Sequence, residues 1–595
     1  MQAGLRALMV GGCLAALVAG PAQAGPSESE KLDAFIAAAR ASDLSFDPTR
    51  RTEVERTGAE AGWTPTNDAY REVEAKRLAA RLDELPRAVD RGRLNASGQI
   101  AYDIYKAGLE ADLLEARTYP NAYFLGASPF NAAQDLPSVL MGAHTIKSEQ
   151  DARNYIARLN ALPKVLEGAI ADAKAREARG VTMIKSAFSQ SESVGRRFAN
   201  GAPCAGEGEN PLWSDFRAKV TAADLPAPAR ESLLTDGRTV LSGTVCPAYA
   251  KFATEVAGME AGGRTQGLWS TPNGDRLYAD LVELSLTTRA DPNEIHEIGL
   301  REVARTEAEI RAMMVKVGFK GDLAAFNRWL QDAPEVSLPN TEKGRAAYLA
   351  KARGLVAGIY PKLPAYFEAV PKTQLKVEPT THDPSGAPDT TASYYTPGRA
   401  DGSKAATYHL GVPKAARIET WSLATTAYHE GVPGHHLQTA IAAEQGEGEG
   451  RRFYPAYAEG WALYAEALAA EMGGYDGDDY ARIGWLQQKL TRAVRVVVDT
   501  GLNAKRWTPE QATAYQLAHM GREEGLRRFL NWPGQGLAYY WGYLEFVRLR
   551  EKAQAQLGDR FDIRRFHSVV LRDGPAPFSV LERQVDAWIA AEKGR

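Results

Sequence analysis

The chain has 595 residues, of which 44% are hydrophobic, 24% charged and 9% aromatic. That composition can bury a large core and excludes disordered, collagen-like and disulfide-miniprotein chains. Its 71 lysines and arginines against 74 acidic residues give a net charge of −3 without a dominant basic block, so charge gives no reason to expect nucleic acid.

The first 24 residues are predicted to be a signal peptide. Arg6 precedes the apolar run ALMVGGCLAALVAG, and Ala22-Gln23-Ala24 has the small-x-small form of a cleavage site after Ala24. The run is shorter than the roughly 20 apolar residues of a membrane span. VGGC at Cys13 loosely resembles a lipobox, but cleavage there would leave only Ala7 to Gly12 as apolar core. The expected mature protein, residues 25–595, is periplasmic or secreted, with no membrane span. It then keeps Cys204 and Cys246, a pair suited to a disulfide in an oxidising compartment.

Apolar residues at three- and four-residue steps predict helices over 28–43 and 68–85. Ser148-Glu-Gln-Asp is a capping-box-like start, Asp291-Pro292 opens a helix that Gly318 can close, and Thr508-Pro-Glu-Gln starts another. Residues 537–558 form a further long helix. The stretch 373–412 breaks this rhythm, with short alternating runs (LKVEP, ATYHL) that predict a small β-sheet with turns at Pro384-Ser-Gly and Ala400-Asp-Gly. ARIETWSLATTAYHE follows as an expected helix. The fold class is mainly α with a small sheet beside the site.

That helix leads into Tyr428-His429-Glu430-Gly431-Val432-Pro433-Gly434-His435-His436, which holds three of the nine histidines. Neutral imidazoles are the commonest metal ligands. In the zinc-peptidase pattern HExxH, two histidines four apart share a helix face and the glutamate acts as general base. Here position 433 is proline and the spacing differs. On a regular helix His435 would point about 120° from His429, and His436 would sit about 10.5 Å further along the axis. Gly431, Pro433 and Gly434 suggest two residues looped out as a bulge, which would bring His435 to the second ligand position, with His436 as the alternative. Downstream, Glu459 and Glu466 share a face of an otherwise apolar helix. A metal would account for Glu459 there, and Glu466 could orient a ligating histidine.

HEGVPGHHLQ, AYAEGWALYAE, VVVDTGLNAKRWTPEQA and PGQGLAY resemble the bacterial family named domain of unknown function 885, usually grouped with the gluzincin metallopeptidases. The likeness runs over most of the mature chain and is strongest from about Tyr394 to Trp588. The resemblance implies a large two-lobed helical fold over residues 25–595. Its metal-site region is about 373–595, with one zinc held by His429, His435 and Glu459. It also implies a tyrosine or histidine that stabilises the oxyanion, for which Tyr539 is the first candidate and Tyr540 the second. The family often has histidine where this chain has Asn503, which puts that residue's catalytic role in doubt here.

His409 is a candidate for a strand edge that could pair with an extended peptide. Arg492 and Arg495 could bind a substrate carboxylate. His144, His296, His382, His519 and His567 have no local company and are expected to be structural. The expected function is zinc-dependent peptide hydrolysis with Glu430 as general base. The alternatives are a catalytically inactive peptide-binding or assembly protein on the same scaffold, and a metal-dependent hydrolase of a non-peptide amide or ester.

Overall fold

The computed structural model describes residues 26–122, 132–380, 392–399, 402, 404–412, 415–446 and 452–594. The leader with Cys13, His382 and the turns at Pro384 and Ala400 lie outside them.

Helices predominate, and they begin where the capping chemistry predicts. Ser27 caps α1 (Glu28–Phe46), which packs with α2 (Asp68–Ala88) and α3 (Ala96–Ala122) around Leu32, Leu85, Val89 and Tyr102. Ser148 and Asp151 form a reciprocal capping box on α4 (Glu149–Glu177), with bonds of 3.2 and 2.9 Å. A disulfide joins Cys204, after α5 (Lys185–Ala199), to Cys246, the first residue of α6 (Cys246–Met259). Asp291 caps α7 (Pro292–Lys316), and Gly318 follows it at φ +73°.

The small sheets come next in the chain. Strand β1 (Ser337–Pro339) precedes β2 (Leu375–Pro379), β3 (Tyr394–Thr396), β4 (Ala406–Leu410) and β5 (Arg417–Glu419). The predicted sheet has order β2-β4-β3, with β2 parallel and β3 antiparallel to β4. Because β4 is the middle strand, both its edges are taken, and His409 offers no edge for strand addition. Its ring instead stacks on Tyr394 at 4.3 Å. The helix expected to start at Ala416 begins only at Leu423. Arg417–Glu419 pairs as β5 with β1, burying Ile418, and Thr420 N donates to Val336 O at 2.8 Å.

Five long or paired helices then build the site: α8 (Leu423–Glu430), α9 (His435–Glu444), α10 (Pro455–Glu471), α11 (Asp479–Asn503) and, after α12 (Pro509–Met520), α13 (Ala538–Leu557). Helices α10 and α13 meet at Gly460 and Gly542. A Cβ on Gly460 would lie 2.4 Å from the Gly542 backbone, so only glycine permits this approach. One hydrophobic core runs from Trp63 to Ile589 and encloses α8, α10 and α11.

Candidate metal centre

The histidine motif is not one bulged helix. Helix α8 stops at Glu430, where Gly431 N bonds Ala427 O at 2.9 Å, and α9 restarts at His435. The intervening Gly431-Val432-Pro433-Gly434 segment is a full break. Its last residue passes so close to α8 that a Cβ on Gly434 would lie 2.0 Å from His429 O. Pro433 O accepts from Trp461 Nε1 at 3.0 Å, which fastens the break to α10. The backbone reversal turns His435 back onto His429, their ring centroids 4.8 Å apart and the planes 84° to each other. The expected juxtaposition is therefore present, by a larger departure from helical geometry than a bulge.

Glu459 projects from the second turn of α10 between the two rings. Its Oε2 is 3.4 Å from His429 Nε2 and 3.6 Å from His435 Nε2. One ligand atom from each of the three residues lies within 4.8 Å of the others, and among the described residues this is the group of metal-ligand side chains so arranged. Glu459 Oε2 is buried and, among the described residues, has no hydrogen-bond partner, an expensive state for a carboxylate oxygen. Two imidazoles and a carboxylate, with an orphaned oxygen facing both rings, fit a small divalent cation.

Behind them, Glu466 Oε1 lies 2.8 Å from His429 Nδ1, and Glu466 Oε2 accepts from Thr425 Oγ1 at 2.6 Å. The carboxylate places a proton on Nδ1 and leaves Nε2 facing Glu459. Burial pushes the His429 imidazole down, but the Glu459 and Glu466 carboxylates outweigh it and hold the pKa at about 10. Burial likewise pushes Glu459 up, and the His429 and His435 imidazoles hold its carboxyl well below the ordinary range. Glu430 is buried at the end of α8, and burial raises its carboxyl against the opposing pull of His429 and His435.

His436 faces away from this cluster. Its Nε2 bonds Thr373 O at 3.1 Å and its Nδ1 accepts from Tyr395 OH at 3.2 Å, while burial pushes the imidazole down to about 4. It ties α9 to the β-sheet region as a neutral ring.

Tyr539 lies near the N-terminus of α13. Its hydroxyl accepts from Arg528 Nη2 at 3.1 Å, and among the described residues no acceptor takes its own proton. Tyr540 is committed elsewhere, donating to Glu302 Oε2 at 2.6 Å. Asn503 is a buried structural side chain: Oδ1 accepts from Leu268 N at 3.0 Å, and Nδ2 donates to Asp499 O and Phe529 O. His144, His296, His519 and His567 each have a hydrogen-bonding partner away from the cluster. Arg528 and Thr425 escaped sequence reasoning, since neither sits in a motif.

The chain belongs to a family described as "Bacterial protein of unknown function (DUF885)", which matches residues 48–585. No curated protein matches it. Among solved structures it is similar to "the putative lipoprotein from Colwellia psychrerythraea", with 28% identity and a TM-score of 0.84, covering 95% of this chain and 100% of that one. A second, "a putative lipoprotein of unknown function from Shewanella oneidensis", is 17% identical with a TM-score of 0.68, covering 94% and 99%, and shows the shared fold alone.

Proposed function

We propose that the protein is an exported zinc-dependent hydrolase of peptide bonds on a gluzincin-like scaffold. The reading is carried by the convergence of His429, His435 and the unpartnered Glu459 oxygen beside a buried glutamate. His429, His435 and Glu459 would hold the ion. Zinc in such a site supplies Lewis acidity and makes a water nucleophilic near neutral pH.

Glu430 follows the first ligand directly in the chain. Its carboxylate takes the proton of the attacking water and passes it to the leaving amine. Glu466 keeps His429 in one tautomer and orientation throughout. Tyr539, whose hydroxyl proton is uncommitted, donates to the oxyanion that develops on the substrate carbonyl. A site serving only to brace the fold would need no base at position 430. The apolar segment at residues 7–20 and the description of the related structures as lipoproteins support export.

The test is digestion of a mixed peptide library by the zinc-replete protein and by Glu430→Gln, read by mass spectrometry. The parent should generate new termini and the variant, with its metal retained, should generate none. Undiminished cleavage by Glu430→Gln would reject Glu430 as the base.

A further inference from the structure

Three arginines surround the Tyr539 ring. The guanidinium carbons of Arg492, Arg495 and Arg528 lie 5.8, 5.4 and 5.5 Å from its centroid. Arg492 and Arg495 stand on α11, and Arg528 lies in the short helix Arg527–Asn531 that precedes α13. The Arg492 charge acts on Glu430, and the Arg495 charge acts on Glu459.

Among the described residues, only one of the three makes a salt bridge. Arg495 grips Glu524 through two bonds of 2.8 and 2.7 Å. Arg492 donates Nη1 to Gln488, and Arg528 donates Nη2 to Gln535 and Tyr539. Neither has a carboxylate within salt-bridge distance among the described residues, and the Nε of each is buried without a hydrogen-bond partner. An arginine does not shed its charge, and a partly buried guanidinium with no carboxylate in direct contact is a costly arrangement. Gln488 and Glu524, the partners of Arg492 and Arg495, lie in the wall of a cavity of 590 Å³. That volume is in the range of small-ligand pockets.

We propose that Arg492 and Arg528 form a subsite for a carboxylate of the ligand, with Tyr539 between them and Arg495 held out of play by Glu524. Calling that ligand a substrate rests on the peptidase reading above. A guanidinium presents a rigid fork of donors that matches a carboxylate. On the peptidase reading, a carboxylate fixed here would restrict which bonds of the peptide reach the metal centre, and a peptide held by its C-terminal carboxylate would be trimmed from that end. The same chemistry is offered by an Asp or Glu side chain.

The experiment is equilibrium retention of a mixed octapeptide library by the full mature Glu430→Gln chain, which holds ligand without turnover. The library is supplied with free C-terminal carboxylates and, separately, as C-terminal amides. The free acids should be retained about 10- to 100-fold better, the effect of one charge-assisted pair. Adding Arg492→Gln, or independently Arg528→Gln, should erase the difference while leaving amide retention unchanged. Retention confined to amides that contain Asp or Glu would support the subsite and assign it to acidic side chains. Equal retention of both forms, no retention of either, or equal loss of both in two variants of unchanged melting temperature would overturn it. Cleavage by the chain with Glu430 intact is scored apart: retention with the acid preference but no cleavage rejects the peptidase reading and leaves the subsite standing.

Discussion

His429 Nδ1 and Glu466 Oε1 lie 2.8 Å apart in the core between α8 and α10, and Thr425 holds the other Glu466 oxygen from the same helix as the histidine. The pair decides which imidazole nitrogen faces Glu459. Replacing Glu466 with alanine releases the ring and should weaken zinc affinity about 10- to 100-fold, the usual effect of losing such a partner. Competition against a fluorescent chelator measures it. Unchanged affinity would mean that packing alone orients His429.

The two adjacent histidines should separate cleanly. His435→Ala is expected to abolish stoichiometric zinc, because it removes a ligand. His436→Ala is expected to keep zinc and to lower unfolding stability by about 1–3 kcal/mol, since it removes the donor to Thr373 O and the acceptor of the Tyr395 hydroxyl proton. Metal content and urea unfolding of both variants check this, and the reverse pattern would make His436 the ligand.

Protons should leave as metal enters. In the metal-free protein His429 is held at about 10, above its ordinary 6.5, so its contribution to stability is complete below about pH 6.5 and is lost as pH rises toward about 10. Glu459, held below the ordinary range, contributes above that range and loses its contribution as pH falls through its lowered value. Zinc must displace the His429 Nε2 proton near neutrality. Calorimetry at pH 7 in buffers of different ionisation enthalpy should show about one proton released per zinc. Chelator-treated protein should lose thermal stability from about pH 6.5 to 10, and His429→Gln should lack that dependence. Zinc uptake without proton release would contradict the charge state of the cluster.

The disulfide should matter for stability and not for the site. Cys204 and Cys246 are separated by 42 positions, and neither lies on an element that carries the metal centre. The double serine variant should unfold about 2–4 kcal/mol more easily, with its zinc content unchanged. Loss of zinc in the still-folded variant would tie the bridge to the site.

Much of this arrangement was legible in the chain. Capping residues at Ser148, Asp291 and Thr508 marked helix starts because a cap acts on its own first turn. The carboxylates Glu459 and Glu466 stood out against an apolar helix. What was not legible depends on partners distant in sequence. Strand β5 exists because Ile418 pairs with Leu338 of β1, so a helical reading of residues 416–422 could not succeed. His409 lies on a middle strand because β2 pairs in parallel with β4, which local alternation cannot reveal. The break at Gly431–Gly434 was signalled by its glycines and proline, but its extent depends on Trp461 and the close passage under His429. Arg528 carried no signal at all, since its meaning comes from meeting Tyr539 and, among the described residues, from having no salt bridge.

The central claim, that His429, His435 and Glu459 hold a metal, is tested most directly by elemental mass spectrometry of purified residues 25–595 and of Glu459→Ala. The account expects about one zinc per chain in the parent and much less in the folded variant. No stoichiometric metal in the parent, even after zinc is supplied, would contradict it.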